Sequence, residues 1–181
     1  MGRRWGFTDT ITVNKDYSVN IEKKLSNLTL PSGLGWSLDN QFMYHVDAHR
    51  GQITKYKFDI DSGKLNEGRV FFDLTNYPHI TGELNAIAVK DGAIAVPLYN
   101  GSVIINIIQD TAEVSHLVPS PVPLPTSIVF GGPHNKTAYI ASSDFRLSEL
   151  EKRLNPFDSR AVFAYSGYSF PHSPSYRIVV H

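Results

Sequence analysis

The stretch "HVDAH" puts three side chains able to ligate a metal, His45, Asp47 and His49, within five residues. Zinc takes histidine nitrogen and carboxylate oxygen, and on a helix His45 and His49 would share one face. The surrounding residues alternate as a strand does, however, and run into a turn. On a strand His45 and Asp47 share a face and His49 falls past the end, so the stretch reads as a structural strand end. A second candidate is Ser32, at the mouth of the apolar run "GLGWSL". Its hydroxyl suits a turn residue that satisfies nearby backbone N–H groups. The other five histidines show no ligand spacing. There is no Gly-x-Ser-x-Gly elbow, phosphate loop or dinucleotide fingerprint, and Gly131-Gly132 is too short to cradle phosphate.

These residues must be positioned by β-structure. Alternation or short apolar runs mark "QFMYHV" (41–46), "QITKYKFDI" (52–60), "NAIAVKDGAIAVPLYNGSVIINI" (85–107) and "TAYIAS" (137–142). Turn signals separate them at Leu38-Asp39-Asn40, Asp61-Ser62-Gly63, Asp91-Gly92, Asn100-Gly101 and Pro133-His134-Asn135. One grammar recurs in 32–47, 85–99 and 126–142: a small or polar residue, an apolar strand, a turn and a second apolar strand. The starts fall 53 and 41 residues apart, bracketing the period of about 40–50 residues of four-stranded propeller blades. The expected fold is therefore all-β, built of propeller blades. One short helix is expected over 146–155, with Leu147, Leu150 and Leu154 on one side. Pro119, Pro121, Pro123 and Pro125 predict a rigid connection and no central strand.

Composition narrows the function. The chain has 181 residues, 41% apolar and 19% charged, as an ordinary globular chain does. Lys+Arg and Asp+Glu both number 17, and no basic stripe interleaves with aromatics, so neither nucleic acid nor a membrane is an expected partner. The absence of cysteine excludes thiol catalysis and disulfides. No apolar run nears the roughly 18 residues of a membrane span, and the N-terminus lacks a signal-peptide core. The expected location is the cytoplasm.

Several motifs in order carry a resemblance. "SGLGWSLDNQFMYHVDAHRGQITKYKFDIDSGKLNEGRVFFDL" (32–74), "VPSPVPLPTSIVFGGPHNKTAYIAS" (118–142), the opening "GRRWGFT" (2–8) and the closing "SPSYRI" (173–178) resemble the senescence marker protein/regucalcin/gluconolactonase family. The resemblance implies a six-bladed propeller that holds one divalent metal, usually calcium, in its central channel and hydrolyses sugar lactones. Six blades need roughly 270 residues at this period, so residues 1–181 are expected to form a partial six-bladed propeller of about four blades. On this resemblance the first blade and the early second have no counterpart here, while the C-terminal end matches the family's.

The resemblance also assigns positions. The family's metal ligands are a Glu, two Asn and an Asp that doubles as base. The Glu and the earlier Asn would precede Met1. The later Asn corresponds to Ser32, and the Asp corresponds to Asn85 in "ELNAIAV". Asn85 thus stands at the implied catalytic position without the charge or basicity of a carboxylate, and Ser32 offers a shorter oxygen. Calcium affinity follows ligand charge, so the family's metal is expected to bind weakly here. Glu83, two residues before Asn85, reads as a solvated loop residue or, alternatively, as a compensating ligand. The expectation is a lactonase-type chain not competent alone; the alternative is a non-catalytic propeller-type binding or interaction protein. A small-molecule lactone is implied as partner for the full-length family. Exposed blade edges predict self-association.

Overall fold

The structure of the chain, a computed structural model, describes residues 6–155, 157, 160–166, 168 and 178–179. The motif residues 2–5 and 173–177 lie outside these. A separate hairpin joins β1 (Gly6–Val13) to β2 (Val19–Leu28). The first sheet orders β3 (Pro31–Trp36), β4 (Phe42–Asp47), β5 (Gln52–Asp59) and β6 (Lys64–Leu65), with β7 (Arg69–Asp73) also on β5. In the second sheet β8 (Glu83–Leu84) and β9 (Ala88–Lys90) both pair with β10 (Ala93–Tyr99), followed by β11 (Val103–Ile108) and β12 (Val114–Pro119). The third orders β13 (Pro125–Gly131), β14 (Thr137–Ser142), β15 (Val162–Ser166) and β16 (Ile178–Val179). With β6 and β7 counted as one interrupted strand, and β8 and β9 as another, each sheet is a four-stranded antiparallel meander. These are blades of the lactonase-type propeller, an incomplete set, with the hairpin beside them.

Local chemistry explains the turns. Each predicted turn contains a residue with φ between 49° and 77°: Asn40, Gly63, Asp91 with Gly92, Asn100, and His134 with Asn135. Asn, Asp and Gly tolerate this left-handed region, which is why those types punctuate the strands. The helix is shorter than expected. It spans Glu149–Leu154 because Ser148 caps it, with the Glu151 carboxylate accepting in turn from the Ser148 backbone N–H. Leu150 and Leu154 are exposed, so the expected apolar side buries little.

Packing runs between sheets. Tyr44, Val46, Ile53 and Phe72 of the first sheet meet Ile94, Val96, Leu98, Ile105 and Ile107 of the second. The second sheet's other face, including Ala95, Ile104 and Val118, meets Ile128, Ala138, Ile140 and Tyr165 of the third. Covered on both faces, β10 and β11 are apolar almost throughout, whereas half-exposed strands alternate. Pro119 ends β12 and Pro125 opens β13, as strand-end prolines should. Pro97, by contrast, sits within the central strand β10. Its carbonyl accepts from Asn85 N at 3.2 Å, so its missing N–H also faces residues 85–87, where the neighbouring strand is interrupted between β8 and β9.

The innermost strands β3, β9 and β13 lie side by side. Glycine permits the tightest of these approaches. A Cβ on Gly33 would stand 2.8 Å from Asn85 O, and one on Gly35 3.2 Å from the methyls of Ile87 and Val89. The array is open among the described residues. Trp36 and Val70 are exposed on the outer face of the first sheet, and Val129 and Val162 on that of the third. In the hairpin, Ile11 pairs with Ile21 and Val13 with Val19, placing four exposed β-branched residues on one face.

The "HVDAH" stretch is the predicted strand end. His45 and Asp47 lie on β4 and His49 in the exposed turn after it. Asp47 latches β4 to the β2–β3 junction, accepting hydrogen bonds from Thr29 N at 2.8 Å, Thr29 Oγ1 at 2.6 Å and Leu30 N at 2.9 Å. Burial alone would raise its pKa, but these bonds and Arg50 hold the carboxyl below the usual range. His45 is 1% exposed and its Nε2 has no hydrogen-bond partner among the described residues. Burial therefore depresses its pKa, against a smaller opposing pull from Asp47.

Two outcomes follow. Gly33→Ala lowers stability by about 1–3 kcal/mol through backbone overpacking, and Gly35→Ala costs less because only side-chain methyls must move; chemical denaturation measures both. The unfolded chain protonates His45 near pH 6.5, before the folded chain does, so wild-type stability falls as pH drops below that value. His45→Leu flattens this slope. Near pH 7 it leaves stability equal or higher, because a buried unpaired polar atom costs about 1–3 kcal/mol.

Candidate functional site

Ser32 and Asn85, far apart in sequence, meet in the fold. The β3–β4 register shifts between Pro31 and Leu34, releasing Ser32 from regular pairing. Asn85 follows β8 where Pro97 interrupts the ladder. The Ser32 hydroxyl donates to the Asn85 carbonyl at 2.8 Å, the turn-like role its residue type suggests. No hydrogen bond holds the Asn85 side-chain amide among the described residues. Glu83, which pairs with Tyr99 across the sheet, also reaches this place, and its carboxylate forms no ion pair among the described residues.

A cleft of about 270 Å³ opens around these groups. Leu30, Ala48, Leu84 and Phe145 supply apolar wall; Ser32, Asn85, Tyr99 and Glu83 supply polar groups; Arg146 supplies a cation. Hydrogen bonds tie down the loop carrying Arg146. Tyr99 Oη donates to Phe145 O at 2.9 Å, Phe145 N to Ser143 Oγ at 3.0 Å, and Leu147 N to Asp144 O at 3.0 Å. Arg146 itself has φ 76°, an uncommon value for a non-glycine residue. Its guanidinium lies 5.7 Å from the Phe145 ring and forms no ion pair among the described residues.

Sequence reasoning brought Ser32, Asn85 and Glu83 to this site but missed Arg146, Tyr99 and Phe145. Arg146 fell inside the expected helix. The capping pattern Ser148-x-x-Glu151 would have started the helix at Glu149 and left Arg146 in a loop. His45 and Asp47 do not line the cleft.

A hard divalent cation such as calcium takes six to eight oxygens, several of them charged. The cleft offers a hydroxyl, an amide, one rim carboxylate and a guanidinium that repels a second cation. Among the described residues no three His, Asp or Glu side chains converge as a metal site. This donor set does not fit such a metal. Asn85 cannot take up a proton as a carboxylate base would, and among the described residues no histidine adjoins Ser32 to activate its hydroxyl.

Comparison with known proteins sets the site in context. The family model described as "SMP-30/Gluconolactonase/LRE-like region" matches residues 9–144. A Sulfolobus acidocaldarius protein is 30% identical over 129 residues, 71% of this chain and 46% of its own length. Regucalcin from Sus scrofa is 24% identical over 157 residues, 87% of this chain and 52% of the relative. The solved calcium-binding protein regucalcin from Agrobacterium tumefaciens shares the fold, with a TM-score of 0.74 at 18% identity, covering 87% of this chain and 53% of that one. The chain thus spans about half the length of the curated relatives it matches. With its blade meander, its ordered motifs and a family match across most of its length, the chain belongs to the SMP-30/gluconolactonase/LRE-like family.

Proposed function

We propose that this chain is a lactonase-type propeller segment that acts as a binding module and is not by itself a competent lactone hydrolase. The observation that supports this most is the cleft's composition. Ser32 and Asn85 stand where the family resemblance assigns metal ligands, and they hydrogen-bond to each other beside the Arg146 guanidinium. Among the described residues, a lactone carbonyl entering the cleft would meet no carboxylate base other than Glu83. The Glu83 carboxylate favours a second reading, in which further residues complete a metal site and the whole assembly hydrolyses a sugar lactone.

Two features of the setting belong to the same reading. We place the chain in the cytoplasm, a reducing compartment with which a cysteine-free sequence is compatible; no helix among the described residues is long and apolar enough to cross a membrane. The exposed outer faces of the first and third sheets, with the apolar hairpin face, support self-association rather than a nucleic-acid or membrane partner.

Thermal unfolding with millimolar calcium against chelator tests the metal part. The expected midpoints coincide. A site filled to 100 times its dissociation constant would add about 2.7 kcal/mol, a rise of several degrees, and that result would favour the hydrolase reading. Light scattering across a concentration series tests association. Wild type is expected to gain mass with concentration, and Val129→Lys with Val162→Lys to shift it toward monomer; a wild-type monomer at every concentration contradicts the reading.

A further inference from the structure

We infer that the cleft binds a small organic carboxylate, with Arg146 as the charge partner and the Asn85 amide as a second donor. The inference rests on the reading that no divalent metal occupies this place. Four observations converge on it. First, Arg146 is a permanent cation at the cleft with no ion-pair partner among the described residues, although Lys152 and Arg160 on the same segment both reach Asp144. A guanidinium binds a carboxylate through two parallel N–H bonds, a geometry that a point charge lacks. Second, its backbone sits at φ 76° in a loop fixed by Tyr99 and Ser143. Holding a non-glycine residue there costs free energy, and it directs the side chain to a defined place at the cleft.

Third, the Asn85 amide lines the same cleft with no competing hydrogen bond among the described residues, because only its backbone groups are engaged, by Ser32 and Pro97. Fourth, apart from Ser32, Tyr99 and Glu83 the remaining wall is apolar: Leu30, Ala48, Leu84 and the Phe145 ring. About 270 Å³ lies just below the usual range of ligand pockets, which restricts the ligand to a small molecule. An apolar body of roughly ring size beneath a single carboxylate matches both wall and charge. Glu83 opposes the anion from the rim and limits the affinity.

Benzoate is the probe, with benzamide as its neutral isostere. Titration of the labelled 181-residue chain, followed by NMR, should perturb the Asn85 side-chain amide and Arg146 Nε with benzoate and much less with benzamide. Arg146→Asn, whose new residue tolerates positive φ, should weaken benzoate binding on the order of tenfold or more. Arg146→Lys should retain part of it, and Glu83→Gln should tighten it a few-fold by removing the opposing charge. Equal binding of benzoate and benzamide overturns the inference. So do undiminished binding in Arg146→Asn and perturbations centred instead on the separate groove lined by Lys55, Lys57 and Arg69. A parallel calcium titration separates the two readings. Inert calcium with inert benzoate removes this inference alone; stabilisation by calcium removes the reading beneath it, and the inference with it.

Discussion

The fold depends on how closely β3 lies against the segment that follows β8. Two glycines bring one blade's innermost strand against the next: Gly33 rests directly on the backbone of residues 85–86, and Gly35 leaves room for the Ile87 and Val89 side chains. That approach brings the Ser32 hydroxyl within 2.8 Å of the Asn85 carbonyl and fixes the floor of the cleft. Farther from the axis the same two sheets part, and Tyr44, Val46, Ile53 and Phe72 fill the widening gap against β10 and β11. Small residues inside and large ones outside produce the wedge shape that blades need in order to fan around an axis.

A second constraint, the missing N–H of Pro97, cooperates with the first. A central strand with a proline must face a gap on one side, and the chain places that gap at residues 85–87. Asn85 leaves the ladder there, so its side chain is free for the cleft rather than committed to a sheet face. Opposite it, the capping box of Ser148 and Glu151 holds the helix back from Arg146. The cleft's cation is thus a matter of where a helix begins. One hydrogen-bonded cap separates a guanidinium at the cleft from one on a helix surface.

Much of this was legible in the residues. Alternation and Asn/Asp/Gly turns gave the strands of the blades because the same residue types meet the left-handed backbone of tight turns. The length of the helix was misread because leucine spacing was weighed and the cap was not. The strand β2 escaped notice since "VNIEKKLSNL" is mostly exposed and carries no burial pattern. Pairing of Ser32 with Asn85 could be read only through family resemblance, as no local periodicity links residues 53 apart in sequence. Arg146 had no such guide: its place depends on a turn, a cap and a tyrosine hydroxyl contributed by another blade.

The meander also orders events in time. Each sheet is built from consecutive strands, so the first has its own ladder once residue 73 has emerged, but its apolar face waits for residues 84–107. At synthesis rates of about 5–20 residues per second, Tyr44, Val46, Ile53 and Phe72 stay uncovered for roughly 2–7 seconds. The second sheet then covers the first and exposes a new sticky face until β13 and β14 arrive. Growth proceeds as a relay in which every finished layer is the template for the next. Quality control in the cell meets this protein as a succession of half-covered sheets.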